Sequence, residues 1–95
     1  MAYLVVAIFK LDPTNVALEV QRGEATGSAL SKQGGFLSFD VMTPDEETVV
    51  VTQLWTSQQE FFDGMSGMRE TLGQLPPPIV NTRETYSGEV TVSMR

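Results

Sequence analysis

Thr48-Val-Val-Val-Thr-Gln-Leu-Trp55, followed by Thr56-Ser-Gln-Gln-Glu-Phe61, decides how this chain folds. The first eight residues are rich in β-branched side chains and end on an aromatic, which is strand composition. Ser57 and Glu60 then have the spacing of a capping box, in which each side chain satisfies a backbone donor that the start of a helix leaves without a partner. Phe61, Met65, Met68 and Leu72 follow at spacings of four, three and four, one face of a helix that ends near Gly73.

Upstream, Phe36 to Thr43 reads as a strand and Pro44-Asp45-Glu46-Glu47 as an acidic turn, so Phe36 to Trp55 is a hairpin. Tyr3-Leu-Val-Val-Ala-Ile-Phe9 is too short for a typical helix and is the first strand. Between them, Asp12-Pro13 supplies a side-chain cap and a preset φ, predicting a helix that runs to about Gln33. Val16, Val20, Gly23, Gly27 and Leu30 share one face of it, and Gly34-Gly35 is a C-terminal stop. Downstream, Pro76-Pro77-Pro78 predicts an extended connector. Ile79 to Tyr86 and Glu89 to Met94 read as strand, broken by a bulge or turn at Ser87-Gly88. The order β-α-β-β-α-β is the ferredoxin-like, α+β pattern: one antiparallel sheet with two helices on one face, as a single domain over residues 1–95.

The uncovered face of such a sheet ordinarily alternates toward polar residues. Here it does not. Tyr3, Val5, Ala7 and Phe9 lie on one face of the first strand and Leu4, Val6 and Ile8 on the other. Val50 and Leu54 oppose Val49, Val51 and Trp55 in the same way. Two helices cover one face only, so the second is expected to meet the sheet of another copy and make a homodimer.

The 95 residues contain no cysteine and no histidine. That excludes disulfide scaffolds, thiolate metal sites and cysteine nucleophiles, and removes the usual general base and the commonest zinc and haem ligand. Six Lys and Arg against twelve Asp and Glu leave a net charge of −6, with no basic stripe to neutralise phosphates. Nucleic-acid and anionic-membrane partners are therefore not expected. Tyr3 to Phe9 is far shorter than a membrane span and lacks the flanks of a signal peptide, so a soluble cytoplasmic protein is expected.

The segment Gln53-Leu-Trp-Thr-Ser-Gln-Gln-Glu-Phe61 resembles the signature of the antibiotic biosynthesis monooxygenase family: a strand-ending tryptophan, a capping residue, an acidic residue and an apolar helix. The resemblance implies a dimeric α+β barrel, two ferredoxin-like subunits packed sheet to sheet. It also implies cofactor-independent monooxygenase chemistry on an aromatic polyketide or quinol-like substrate. The alternative is a non-catalytic small-molecule-binding or structural homodimer of the same fold. Many members carry a histidine nine residues after the tryptophan, where this chain has Gly64. The haem-degrading branch adds a strand-one asparagine, which is also missing here.

The expected ligand site lies between helices and sheet within one subunit. Trp55, Phe61 and Met65 would wall it, Tyr86, Asn81 and Arg83 would supply polar contacts, and Gly23 and Gly27 would leave room above. Each has a structural alternative. Trp55 anchors a core, Phe61 and Met65 belong to it, the glycines serve close helix–sheet packing, and the three polar residues sit on a solvated strand. Asp45, Glu46 and Glu47 are a solvated turn rather than a calcium site.

With neither histidine nor cysteine, no functional haem or metal site is expected. Titration with haem should give no saturating Soret shift at one equivalent per chain. Stoichiometric binding, followed by breakdown with a reductant and oxygen, contradicts this.

Overall fold

The eight residues of β1 (Tyr3–Lys10) set the length of the sheet. In the computed structural model, which describes residues 1–75 and 79–94, β1 pairs along its whole length on both sides. One neighbour is β3 (Thr48–Trp55), from Tyr3 opposite Trp55 to Lys10 opposite Thr48. The other is β4 (Thr82–Glu89), from Tyr3 opposite Glu89 to Lys10 opposite Thr82. β2 (Phe36–Asp45) completes an antiparallel sheet of order β2-β3-β1-β4. The helices are α1 (Val16–Leu30), α2 (Gln58–Gly67) and α3 (Arg69–Gly73), and the fold is ferredoxin-like. Among the described residues no helix is long and apolar enough to cross a membrane.

The local signals act largely as their chemistry dictates. Asp12 accepts bonds from the Thr14 amide at 3.0 Å and the Thr14 hydroxyl at 2.7 Å. It opens a 3₁₀ turn, Pro13–Asn15, and α1 follows from Val16. The helix closes at Leu30, three residues short of the expected Gln33, and Gly35 takes a φ of +83° that favours glycine. Ser57 caps α2 by accepting from the Glu60 amide at 3.2 Å.

Four expectations are corrected. β2 runs on to Asp45 instead of stopping at Thr43. A register shift between Met42 and Asp45 takes in Pro44, which has no amide to give the ladder. The single helix expected up to Gly73 is divided at Met68, whose φ of −102° and ψ of 0° end α2 and begin α3. No break occurs at Ser87-Gly88, since both residues pair in register with Val5 and Leu4. Nor does strand continue from Val90 to Met94. The β1–β4 ladder ends at Tyr3 opposite Glu89, and past it the Val90 amide donates to the Ala2 carbonyl at 2.8 Å. The connector expected at Pro76-Pro77-Pro78 lies outside the described residues.

All three helices lie on the sheet face that carries Tyr3, Val5, Phe9, Val49, Val51 and Trp55. Tyr3, Val5, Leu30, Trp55 and Met68 form one core cluster, and Phe9, Leu11, Val49 and Val51 form another. Phe39 packs against both. Complete burial of each large side chain contributes about 1.5–3 kcal/mol relative to exposure.

The glycines of α1 and α2 let aromatic rings approach the helix backbone. A Cβ on Gly27 would lie 2.5 Å from the Phe39 ring, and one on Gly64 would lie 2.5 Å from the Trp55 ring. A Cβ on Gly23 would meet Val41 at 3.2 Å. Gly23 and Gly27 therefore serve close approach of Val41 and Phe39 to α1, and the space beside Gly27 is an open groove between α1 and β2. Gly27→Leu should overpack this contact and cost about 1–3 kcal/mol in chemical denaturation. A variant as stable as the parent chain would contradict the packing role.

Candidate functional site

Trp55 is fully buried. Its ring meets Phe36 edge-on at 5.6 Å and Phe61 at 5.9 Å, and its indole N–H donates to Gln53 Oε1 at 3.1 Å. Phe61 also stacks at a tilt on Tyr3, and Met65 packs against the same cluster. Trp55, Phe61 and Met65 are thus brought together, and in the structure they pack on one another as part of the core cluster.

Tyr86 is not with them. It pairs with Val6, so it projects from the face opposite the helices, and it is 60% exposed. Its hydroxyl donates to Glu84 Oε2 at 3.0 Å, and this bond together with the Glu84 charge raises the phenol's pKa. Asn81 is exposed, and its backbone N–H donates to the Lys10 carbonyl at 2.7 Å. The expected grouping of Tyr86 with Trp55 fails on strand parity, because Tyr86 and the Trp55 partner Tyr3 occupy alternate faces. Arg83 has the parity of Phe9, on the helix side, and its guanidinium lies 5.7 Å from the centre of the Phe9 ring.

On that side the chain forms a pocket of about 300 Å³. Asn15, Leu18, Glu19, Gln21, Arg22 and Ala25, at the start and along one flank of α1, form one wall, and Leu75 and Ile79 form the other. Leu18, Ala25, Leu75 and Ile79 make it largely apolar. The volume is at the lower end of small-molecule sites. A wider groove between α1 and β2 and a depression beside Tyr86 on the opposite sheet face also exist, and no buried ionisable group lines either.

Glu19 sets this pocket apart. It is the one buried charged side chain among the described residues, 5% exposed. The Arg22 guanidinium, one helical turn on, stands 3.5 Å from Glu19 Oε1. Desolvation raises the Glu19 pKa, and the charges of Arg22 and, from β4, Arg83 offset that rise only in part. The arrangement offers a carboxylate held short of full ionic stabilisation, beside a guanidinium and apolar walls. Such a group holds a proton more readily than an exposed glutamate. The polar residues expected at the site, Tyr86, Asn81 and Arg83, do not include Glu19. The signal is Glu19 itself, three residues after Val16 and four before Gly23, on the inward stripe of α1.

Among the described residues no group of three or more Asp, Glu, His or Cys side chains is placed to hold a metal ion. Haem ligation of the family's kind does not fit. The chain has no histidine, and position 64, where that histidine would stand, faces the Trp55 ring too closely for a Cβ.

No protein family's profile matches the sequence, and no curated protein matches it. Solved structures do match its fold. SnoaB, a cofactor-independent oxygenase from Streptomyces nogalater, superposes with a TM-score of 0.74 at 16% identity, covering 98% of this chain and 96% of its own. A candidate antibiotic biosynthesis monooxygenase from Bacillus cereus gives 0.77 at 19% identity, with coverages of 99% and 97%. MhuD, a haem-degrader from Mycobacterium tuberculosis with two haems bound in its active site, gives 0.74 at 16% identity, with coverages of 98% and 99%. Over nearly its whole length, this chain is similar in structure to antibiotic biosynthesis monooxygenase-like proteins and has their ferredoxin-like fold.

Proposed function

We propose that the protein is a small cofactor-independent monooxygenase acting on an aromatic polyketide or quinol-like substrate. The observation that carries this reading is the apolar pocket beside α1 with the buried Glu19–Arg22 pair at its wall. SnoaB, a cofactor-independent oxygenase of the same fold, agrees with it. In this chemistry the substrate holds the reducing electrons. An activated ring CH₂ becomes a carbonyl, one atom of O₂ enters that carbonyl, and the other leaves as water with the two hydrogens. The protein supplies orientation, a dry surface and charges that stabilise the substrate anion.

The reading includes a homodimer formed through the sheet face away from the helices. Leu4, Val6, Ile8, Val50 and Leu54 lie there with Met42 and Tyr86, by the register of the four strands, and no helix covers them. Leu4, Met42 and Tyr86 are exposed, and a patch of this kind is ordinarily buried in a partner.

Oxygen uptake with a panel of hydroxyanthrones and quinols, set beside thermal shifts from the same compounds, tests the activity. Stabilisation with turnover is expected, whereas stabilisation without turnover identifies a binding protein. Sedimentation equilibrium at micromolar concentration should give twice the chain mass, and a monomer there removes the dimer and the barrel with it.

A further inference from the structure

We infer that Glu19 is the base that takes a proton from the substrate, an assignment that rests on the oxygenase reading of the pocket. A cofactor-free oxygenase has to generate its substrate's anion before oxygen can react, and neither histidine nor cysteine is present to do so. Glu19 lines the cavity, is nine-tenths buried, and is the one buried charged side chain among the described residues.

In the step assigned to it, a C–H bond of the activated ring CH₂ breaks. The proton bonds to a Glu19 carboxylate oxygen, and the electron pair delocalises onto the ring carbonyl as an enolate. Nothing is oxidised or reduced. The charge that leaves Glu19 reappears on the substrate, within the field of the same guanidinium that already faces Glu19 at 3.5 Å.

The charged groups acting on Glu19 are Arg22 from α1 and Arg83 from β4, while Leu75 and Ile79 on the other wall bring none. Both cations favour the ionised carboxylate, and burial opposes them more strongly. Glu19 therefore loses its proton at a higher pH than an exposed glutamate, and the rate of the step should climb through that raised value.

Proton removal can be read without oxygen. In D₂O under argon, exchange of the ring CH₂ hydrogens of 1,8-dihydroxyanthrone is followed by proton NMR, and its affinity is measured alongside. The parent protein should accelerate exchange over buffer. Glu19→Gln should lose about 100- to 10,000-fold of that acceleration, the range for a general base, and lose the acid limb of the pH profile while still binding the anthrone. Glu24→Gln, on the opposite flank of α1, should leave exchange unchanged. Should Glu19→Gln not fold, Glu19→Asp decides, because withdrawing the carboxylate by one CH₂ should slow exchange at least about tenfold.

Undiminished exchange in the folded Glu19 variant, or no acceleration by the parent protein, overturns the assignment. Acceleration that depends on Glu19 with no oxygen uptake keeps the base and rejects the oxygenase.

Discussion

The Trp55 ring packs so closely on the Cα of Gly64 that no side chain fits between them. Much else follows from that contact. It lets α2 settle onto the end of β3, with Phe36 and Phe61 edge-on against the indole. The Tyr3, Val5, Leu30, Trp55 and Met68 cluster packs at this end of the sheet, and the pocket proposed as the site lies along a flank of α1, between that helix and Leu75 and Ile79.

The second constraint is electrostatic. A chain with a net charge of −6 has little reason to bury another carboxylate, and a buried charge is costly unless it is paired. Glu19 is paired, but by a 3.5 Å contact to a partly exposed arginine, and desolvation outweighs the benefit. A group kept in that condition costs stability while its affinity for a proton is raised. Structural ion pairs also shift pKa values, but the position of this one in an apolar pocket gives it access to a ligand.

Most of the fold was legible because its signals are local. The Ser57 cap, the Asp12-Pro13 start and the glycine stop after α1 each act through neighbouring residues. The misread pieces depend on a partner elsewhere in the chain. β4 stops at Glu89 because β1 begins at Tyr3, a fact absent from the sequence of β4 itself. The candidate site was less legible for the same reason. Trp55, Phe61 and Met65 do come together, yet how closely they pack depends on Gly64, which lets the Trp55 ring approach the backbone of α2. Tyr86 was misplaced because its face depends on register with Val6. Glu19 was overlooked because a lone charge on an apolar stripe resembles the edge of a solvated face until the opposite wall is in place.

The location of the site is the claim on which the functional account stands. An anaerobic crystal structure with 1,8-dihydroxyanthrone tests it most directly. The account predicts the ligand between α1 and Leu75 and Ile79, with its ring CH₂ or an oxygen within about 3 Å of a Glu19 carboxylate oxygen. A ligand seated beside Trp55 with the indole displaced from Gly64, or lying against Tyr86 on the opposite sheet face, would contradict it.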